Sequence, residues 1–218
     1  MRLKENMEKA GLKMGRDKFF EFLAANALLV KKKRKYAYTT DSYHRFHVYK
    51  NKLKNQQLKK AHQAWVSDIT YIRVGGNFMY LFLITDAYSR KIVGWHLSWS
   101  LAISGALKAL KMAIKQCPDT EGLIHHSDRG IQYCSKGYIE MLKKAQIVIS
   151  MTEENHCYEN AVAERINGIL KQEYGLEETF NTELQTAKAV KEAIHSYNTD
   201  RPHWSLNLAT PEEVHQAA

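Results

Sequence analysis

Residues 64–98 read AWVSDITYIRVGGNFMYLFLITDAYSRKIVGWHLS, and the fold turns on how this stretch divides. Three apolar, β-rich runs, WVSDITYI (65–72), NFMYLFLIT (77–85) and KIVGWHLS (91–98), are separated by Gly75-Gly76 and by Asp86-Ala-Tyr-Ser89. Turn residues between short β-branched and aromatic runs predict a three-stranded antiparallel meander. A helix should follow from Ser104 to Gln116, with Leu107, Leu110 and Ile114 inward and Lys108, Lys111 and Lys115 outward. Next come a strand in GLIHHS (122–127), a helix near Lys136–Ala145 and a strand in IVISM (147–151). Helices over Tyr158–Tyr174 and Thr182–Asn198 close the pattern, the second carrying Leu184, Ala187, Val190, Ile194 and Tyr197 on one stripe. Thr210-Pro-Glu-Glu213 has the capping-box Thr, Pro and Glu that open a short last helix. The order predicts an α/β protein: a five-stranded sheet with flanking helices, as in a ribonuclease-H-like fold, whose sites gather where strand ends approach.

Upstream, Gly15–Val30 reads GRDKFFEFLAANALLV and places Phe19, Leu23 and Ala27 on one helical stripe. KKKRK (Lys31, Lys32, Lys33, Arg34, Lys35) comes next, then a stretch from Tyr36 alternating basic and aromatic residues without a sustained period, expected to order on a partner. Of Tyr36, Tyr38, Tyr43, Phe46 and Tyr49, packing on the core is the favoured role over base stacking.

A chain of 218 residues with 44% hydrophobic and 25% charged residues is neither disordered nor fibrous. No run approaches the ~18 apolar residues of a membrane span, and no signal-peptide pattern opens the chain, so a cytosolic protein is expected. The net charge of +9 is unevenly placed: residues 1–60 hold 17 basic and 5 acidic side chains, the remainder 15 and 18. A basic arm for a polyanion joined to a near-neutral body is the implied arrangement. Cys117, Cys134 and Cys157 lack metal-site spacing and read as free thiols.

Three carboxylates stand out. Asp68 interrupts a strand, Asp128 follows the GLIHHS run in a tight SDRG turn, and Glu164 lies off the Val162, Ile166, Ile169, Leu170 stripe of its helix. Singly they read as an edge residue, a turn former and a solvated helix residue. Together they can converge on a pair of hard divalent cations, whose preferred ligands are carboxylate oxygens. Two such ions clamp the attacking and leaving oxygens of an in-line phosphoryl displacement. His125 and His126 lie on alternate sides of their strand, so one should pack and one face the site, neither as a ligand. Asp86 reads as a turn residue, and Arg201, His203 and Trp204 as a packed corner locked by Pro202, against the alternative of contact with DNA or a second subunit.

HHSDRGIQYCS, the thirty-five residues between Asp128 and Glu164, CYENAVAERINGILKQE and YNTDRPHWSLNLATPEEV resemble the transposases of small bacterial insertion sequences with two overlapping frames. Their second-frame product, the OrfB type, has a retroviral-integrase-like DDE core. The resemblance implies a DNA transposase that cleaves transposon ends and joins them to target DNA by transesterification. It implies Asp68, Asp128 and Glu164 as catalytic ligands of Mg²⁺ or Mn²⁺, two ions in number, and Lys171 as a contact to the transposon end. Glu159 departs from the family, which more often has Asp there; it lies about 140° around the helix from Glu164 and should not replace it.

The implied division is a partial helix-turn-helix-like DNA-binding segment over 1–35, a basic linker over 36–63 and the integrase catalytic core over 64–218, with Lys31–Lys35 on DNA phosphates. Implied partners are terminal-repeat and target DNA, further copies of the chain, and a first-frame helix-turn-helix protein or fusion that completes end recognition. The implied setting is the bacterial cytoplasm, at the nucleoid, with no membrane partner. Two other readings keep the same residues: a ribonuclease-H-type nuclease, and an inactive DNA-binding remnant.

Overall fold

In the computed structural model, which describes residues 13–29, 46–153 and 160–217 together with Met7 and Gly11, the meander forms as expected. Strand β1 (Ala64–Val74) pairs antiparallel with β2 (Asn77–Asp86), and β2 with β3 (Ile92–Ser98). Gly75 and Gly76 take φ of +53° and +83°, the left-handed conformations that a two-residue hairpin turn demands. The other turn is held by Asp86, a buried residue whose Oδ1 accepts from the Tyr88 and Ser89 amides and the Ser89 hydroxyl, while Oδ2 accepts from the His62 amide. Asp86 is thus a turn former.

The parallel half follows. Helix α2 (Ile103–Gln116) crosses to β4 (Ile124–Ser127), and the short α3 (Ile131–Cys134) and α4 (Lys136–Lys144) cross to β5 (Val148–Met151). A helix upstream of the sheet, α1 (Arg16–Ala25), buries Phe19 and Leu23. It ends before Ala27, which sits at φ +54° and is exposed, because the Asn26 side chain takes the Phe22 carbonyl. The sheet order is β3-β2-β1-β4-β5, with β1 central. A sixth strand, β6 (Thr179–Phe180), beyond the five expected, pairs parallel with Arg73 and Val74 at the far end of β1. Two residues are too few to leave a pattern in sequence.

Each face of the sheet carries its own core. On one, α2 presents Ala106, Ala109, Leu110 and Ala113 to Trp65, Phe82, Ile84 and Val93. Leu107 and Ile114, expected inward, are only partly buried at its margin. The approach is close because small residues make it: a Cβ on Gly94 would lie 2.4 Å from the Ala109 carbonyl, and one on Gly105 would meet the Phe82 ring. On the other face, helices α5 (Ala161–Glu173) and α6 (Glu183–Thr199) pack Ile166, Ile169, Leu170, Val190, Ile194 and Tyr197 against Ile72, Leu81 and Leu83. Leu184, expected on this stripe, is 81% exposed, since the buried face of α6 begins at Thr186.

The expected capping box opens α7 (Pro211–Gln216): Thr210 Oγ1 accepts from the Glu213 amide and Glu213 Oε2 from the Thr210 amide. Residues 46–58, expected to order only on a partner, already lie against the core through Tyr49, Leu53 and Leu58. Phe46 stays exposed, and Tyr36, Tyr38 and Tyr43 lie outside the described residues.

Candidate active site

Asp68 stands midway along the central strand, with Leu83 of β2 as its partner on one side. On the other side β4 pairs with Ala64, Trp65 and Val66 only. Continuing that parallel register by two residues brings Asp68 level with Asp128, just beyond the end of β4. Neighbouring strands lie ~4.8 Å apart, so the two aspartates are neighbours by construction. Because side chains alternate, both share the sheet face of Val66 and His126, the face that α5 covers. Asp68 is therefore neither on an edge strand nor a chance surface residue.

The site is tied together by short hydrogen bonds. Asp68 Oδ1 accepts from the Ile69 amide at 2.8 Å, and Oδ2 from Asn167 Nδ2 of α5 at 2.6 Å. At the N-cap of α5, Asn160 Nδ2 donates to the Ser67 carbonyl at 3.1 Å. These two asparagines fasten the helix bearing Glu164 to the strand bearing Asp68. Neither is distinguishable from sequence, since an Asn on a helix reads as surface. Asp128 Oδ1 accepts from the Gly130 amide at 2.9 Å, and a Cβ on Gly130 would fall 2.9 Å from that same oxygen, so a side chain there would press on the carboxylate.

Electrostatics link the three carboxylates. Burial, then the Asp128 charge, with a smaller contribution from Glu164, raise the Asp68 pKa to about 7, against the opposing hydrogen bonds from Ile69 and Asn167. Glu164 itself is exposed. Among the described residues, no three His, Cys, Asp or Glu side chains are drawn close enough to hold a metal ion together. The donor chemistry nonetheless fits a hard divalent cation: mutually repelling carboxylates hold surplus negative charge that a cation relieves. The buried Oδ1 atoms of Asn160 and Asn167 also meet no donor among the described residues, and hydrated ions supply donors of that kind.

Other expected residues are placed as follows. Lys171 is half-buried, its Nζ 4.2 Å from the centroid of the Tyr71 ring of β1, a cation–π arrangement on the same helix as Glu164. Lys31, Lys32, Lys33, Arg34, Lys35, Cys157 and Glu159 lie outside the described residues. Cys117 and Cys134 are free thiols. Both His125 and His126 are buried, His126 on the sheet face of Asp68 and Asp128 and His125 on the opposite face. His125 Nε2 bonds Ser67 Oγ at 2.7 Å and Tyr138 OH at 3.0 Å, and His126 Nδ1 bonds Ser150 Oγ at 2.8 Å. Arg201 and His203 form the packed corner: Arg201 Nε and Nη2 each reach a Glu173 carboxylate oxygen at 2.8 Å, and Nη1 lies 3.1 Å from His203 Nε2. Trp204 departs from it, 70% exposed on the turn over Trp204–Leu206.

A mixed sheet in this strand order, with helices on both faces and two aspartates just past the end of the β1–β4 ladder, is the architecture of an integrase-type core. Two integrase core domain family models match the chain, over residues 59–157 and 145–211. It is similar over its whole length to the insertion element IS600 uncharacterized 31 kDa protein of Shigella sonnei, at 34% identity over 223 residues and 82% of that protein. It is also similar to the transposase for insertion sequence element IS629 of Shigella sonnei, at 32% identity over 159 residues, 73% of this chain and 53% of the relative. Among solved structures, the HTLV-2 integrase catalytic core domain in complex with magnesium, in its trimeric form, superposes with a TM-score of 0.57 at 19% identity, covering 72% of this chain and 97% of that one. The chain belongs to the integrase-core transposases of bacterial insertion sequences, a family of DNA transposases and thus of polynucleotidyl transferases. That membership favours DNA integration and recombination over a hybrid-cutting nuclease or an inactive remnant. No helix among the described residues is long and apolar enough to cross a membrane.

Proposed function

We propose that this chain cuts the ends of its insertion sequence and joins them to target DNA, with Asp68, Asp128 and Glu164 as catalytic carboxylates holding Mg²⁺ or Mn²⁺, two ions at full occupancy. The observation that carries this reading is geometric: Asp68 and Asp128 stand side by side just past the β1–β4 ladder, and Asn167 bonds Asp68 to the helix that bears Glu164. The bound cations supply charge neutralisation and a lowered pKa for the attacking oxygen. Asn167 holds the Asp68 carboxylate in one orientation, and Asn160 fixes the register of α5 on β1. Lys171 leans across Tyr71 toward the DNA end, and Lys31–Lys35 hold phosphates further out.

In the joining step the 3′-hydroxyl oxygen of the element bonds to a target phosphorus. The target's own P–O3′ bond breaks, and the departing 3′-oxygen takes up a proton. One phosphodiester replaces another, so neither a nucleotide cofactor nor a covalent protein intermediate is needed. The assembly contains more than one copy, because two ends must meet, and a first-frame helix-turn-helix protein or fusion is a further partner. It works in the bacterial cytoplasm on the nucleoid.

The test is nicking and joining of a duplex carrying the element's terminal repeats, with Mg²⁺ or Mn²⁺ and with chelator. The wild type should act only with metal, and Asp128→Asn or Glu164→Gln should lose at least a hundredfold while still binding DNA. Wild-type joining by either variant would refute the assignment.

A further inference from the structure

The basic stretch after residue 45, expected to order on a partner, is already seated on the core. Tyr49 packs against the α2-side core, while Leu53 and Leu58 join Ala64, Val66 and Ala163 on the opposite face. The segment therefore passes from one face of the sheet to the other beside β5, the edge strand. Two backbone bonds pin it: the Asn51 amide donates to Glu153 Oε1 at 3.0 Å and the Lys52 amide to Ser150 Oγ at 2.8 Å. Asn51 Oδ1 then accepts from the Leu53 and Lys54 amides, fixing the turn that follows.

This anchorage sorts the side chains. Tyr49, Asn51 and Leu53 are half-buried, whereas Lys50, Lys52 and Lys54 are all exposed. Register gives their position relative to the carboxylates. Ser150 pairs with His126, and His126 with Val66. Asp128 and Asp68 are each two residues further along those strands, on the same face and about 7 Å away along the strand direction. On the helix side, Ala163 shares its apolar cluster with Leu53 and Leu58, and Glu164 is the next residue.

We propose that Lys50, Lys52 and Lys54 form a prebuilt phosphate-binding track, fixed beside the carboxylate cluster by the strap around β5, that carries the DNA backbone into the site. The proposal rests on the catalytic reading above and adds a second, rigid set of DNA contacts distinct from Lys31–Lys35. Its physical reason is that three carboxylates at one spot repel a phosphodiester, and lysines held alongside offset that repulsion before chemistry begins. An exposed row of lysines could also meet an acidic protein, and the binding measurement decides between the two.

The experiment uses the full chain and a mixed-sequence DNA duplex, with affinity followed by fluorescence anisotropy over a range of salt in chelator. The variant K50Q/K52Q/K54Q should reduce the slope of log affinity against log salt by about 2 to 3, from ~0.9 per phosphate contact. The arginine variant K50R/K52R/K54R should restore it. K108Q/K111Q/K115Q, with the same charge change on the exposed side of α2 across the sheet, should leave the slope as in the wild type. With metal present, the glutamine variant should nick slowly at subsaturating DNA and recover with excess DNA. An unchanged slope, or an equal loss in the α2 control, overturns the track. Because the slope is measured without metal, a wild type that never nicks refutes the catalytic reading alone, and the two failures stay distinguishable.

Discussion

His125 offers a sharp test of how the core beneath the site is built. Its ring is buried, sandwiched by hydrogen bonds to Ser67 and Tyr138, and burial, then neighbouring His126, lowers its pKa from 6.5 to about 3. Between those values the unfolded chain binds a proton that the folded chain refuses. The stabilisation is thus complete above about pH 6.5 and is lost as pH falls toward 3. At pH 4 about 2.5 pK units have been given up, which at ~1.36 kcal/mol each is about 3 kcal/mol. That is a large share of the ~5–15 kcal/mol that holds an ordinary domain together. Asp68, with its pKa raised to about 7, acts in the opposite direction, its folded-state proton adding stability as pH falls from 7 toward 4. Wild type must therefore be compared with His125→Gln, which can still bond Ser67 and Tyr138 but does not titrate. Urea unfolding at pH 7 and pH 4 should show the wild type losing stability relative to the variant by about 3 kcal/mol, a midpoint difference of ~1–2 M at a typical urea slope. If the two proteins fall in parallel across that range, His125 is not the buried neutral group described.

Two further substitutions probe the packing and the site. Gly94→Ala drives a methyl into the α2 backbone and should cost ~1–3 kcal/mol of stability in denaturant unfolding, whereas Gly168→Ala, with open space around its Cβ inside α5, should gain ~0.5–1 kcal/mol. Asn167→Ala removes a bond to a carboxylate worth ~1.5–3 kcal/mol and should lower metal-dependent joining by roughly tenfold to a hundredfold in a single-turnover assay, while duplex binding in chelator stays unchanged.

The meander was legible because turn residues and strand runs alternate cleanly, and the two aspartates because Asp68 interrupts a strand run while Asp128 follows the end of another in a turn. What stayed hidden was set by contact. The face of α2 is chosen by Gly94 and Gly105, which admit alanines closely, so Ala109 and Ala113 are buried more fully than Leu107 and Ile114. Leu184 fits the periodicity of α6 but lies in its first turn, beyond the reach of the sheet. Asn160 and Asn167 have no signature apart from the strand they grip. The strap over residues 46–58 looked like a tether because its three anchoring side chains are scattered among lysines and polar residues.

The ladder between β1 and β4 is three residues long, whereas β1 and β2 pair over ten. The antiparallel half bearing Asp68 and the parallel half bearing Asp128 are thus joined by a short seam, and each aspartate sits about two residues past its end. A small rotation at Ala64–Val66 is magnified at the carboxylates, as play in a hinge is magnified at the tip of a gate. Substitutions along that seam should therefore disturb alignment well before they disturb folding, and loss of activity in a stably folded protein is the lesion to look for there.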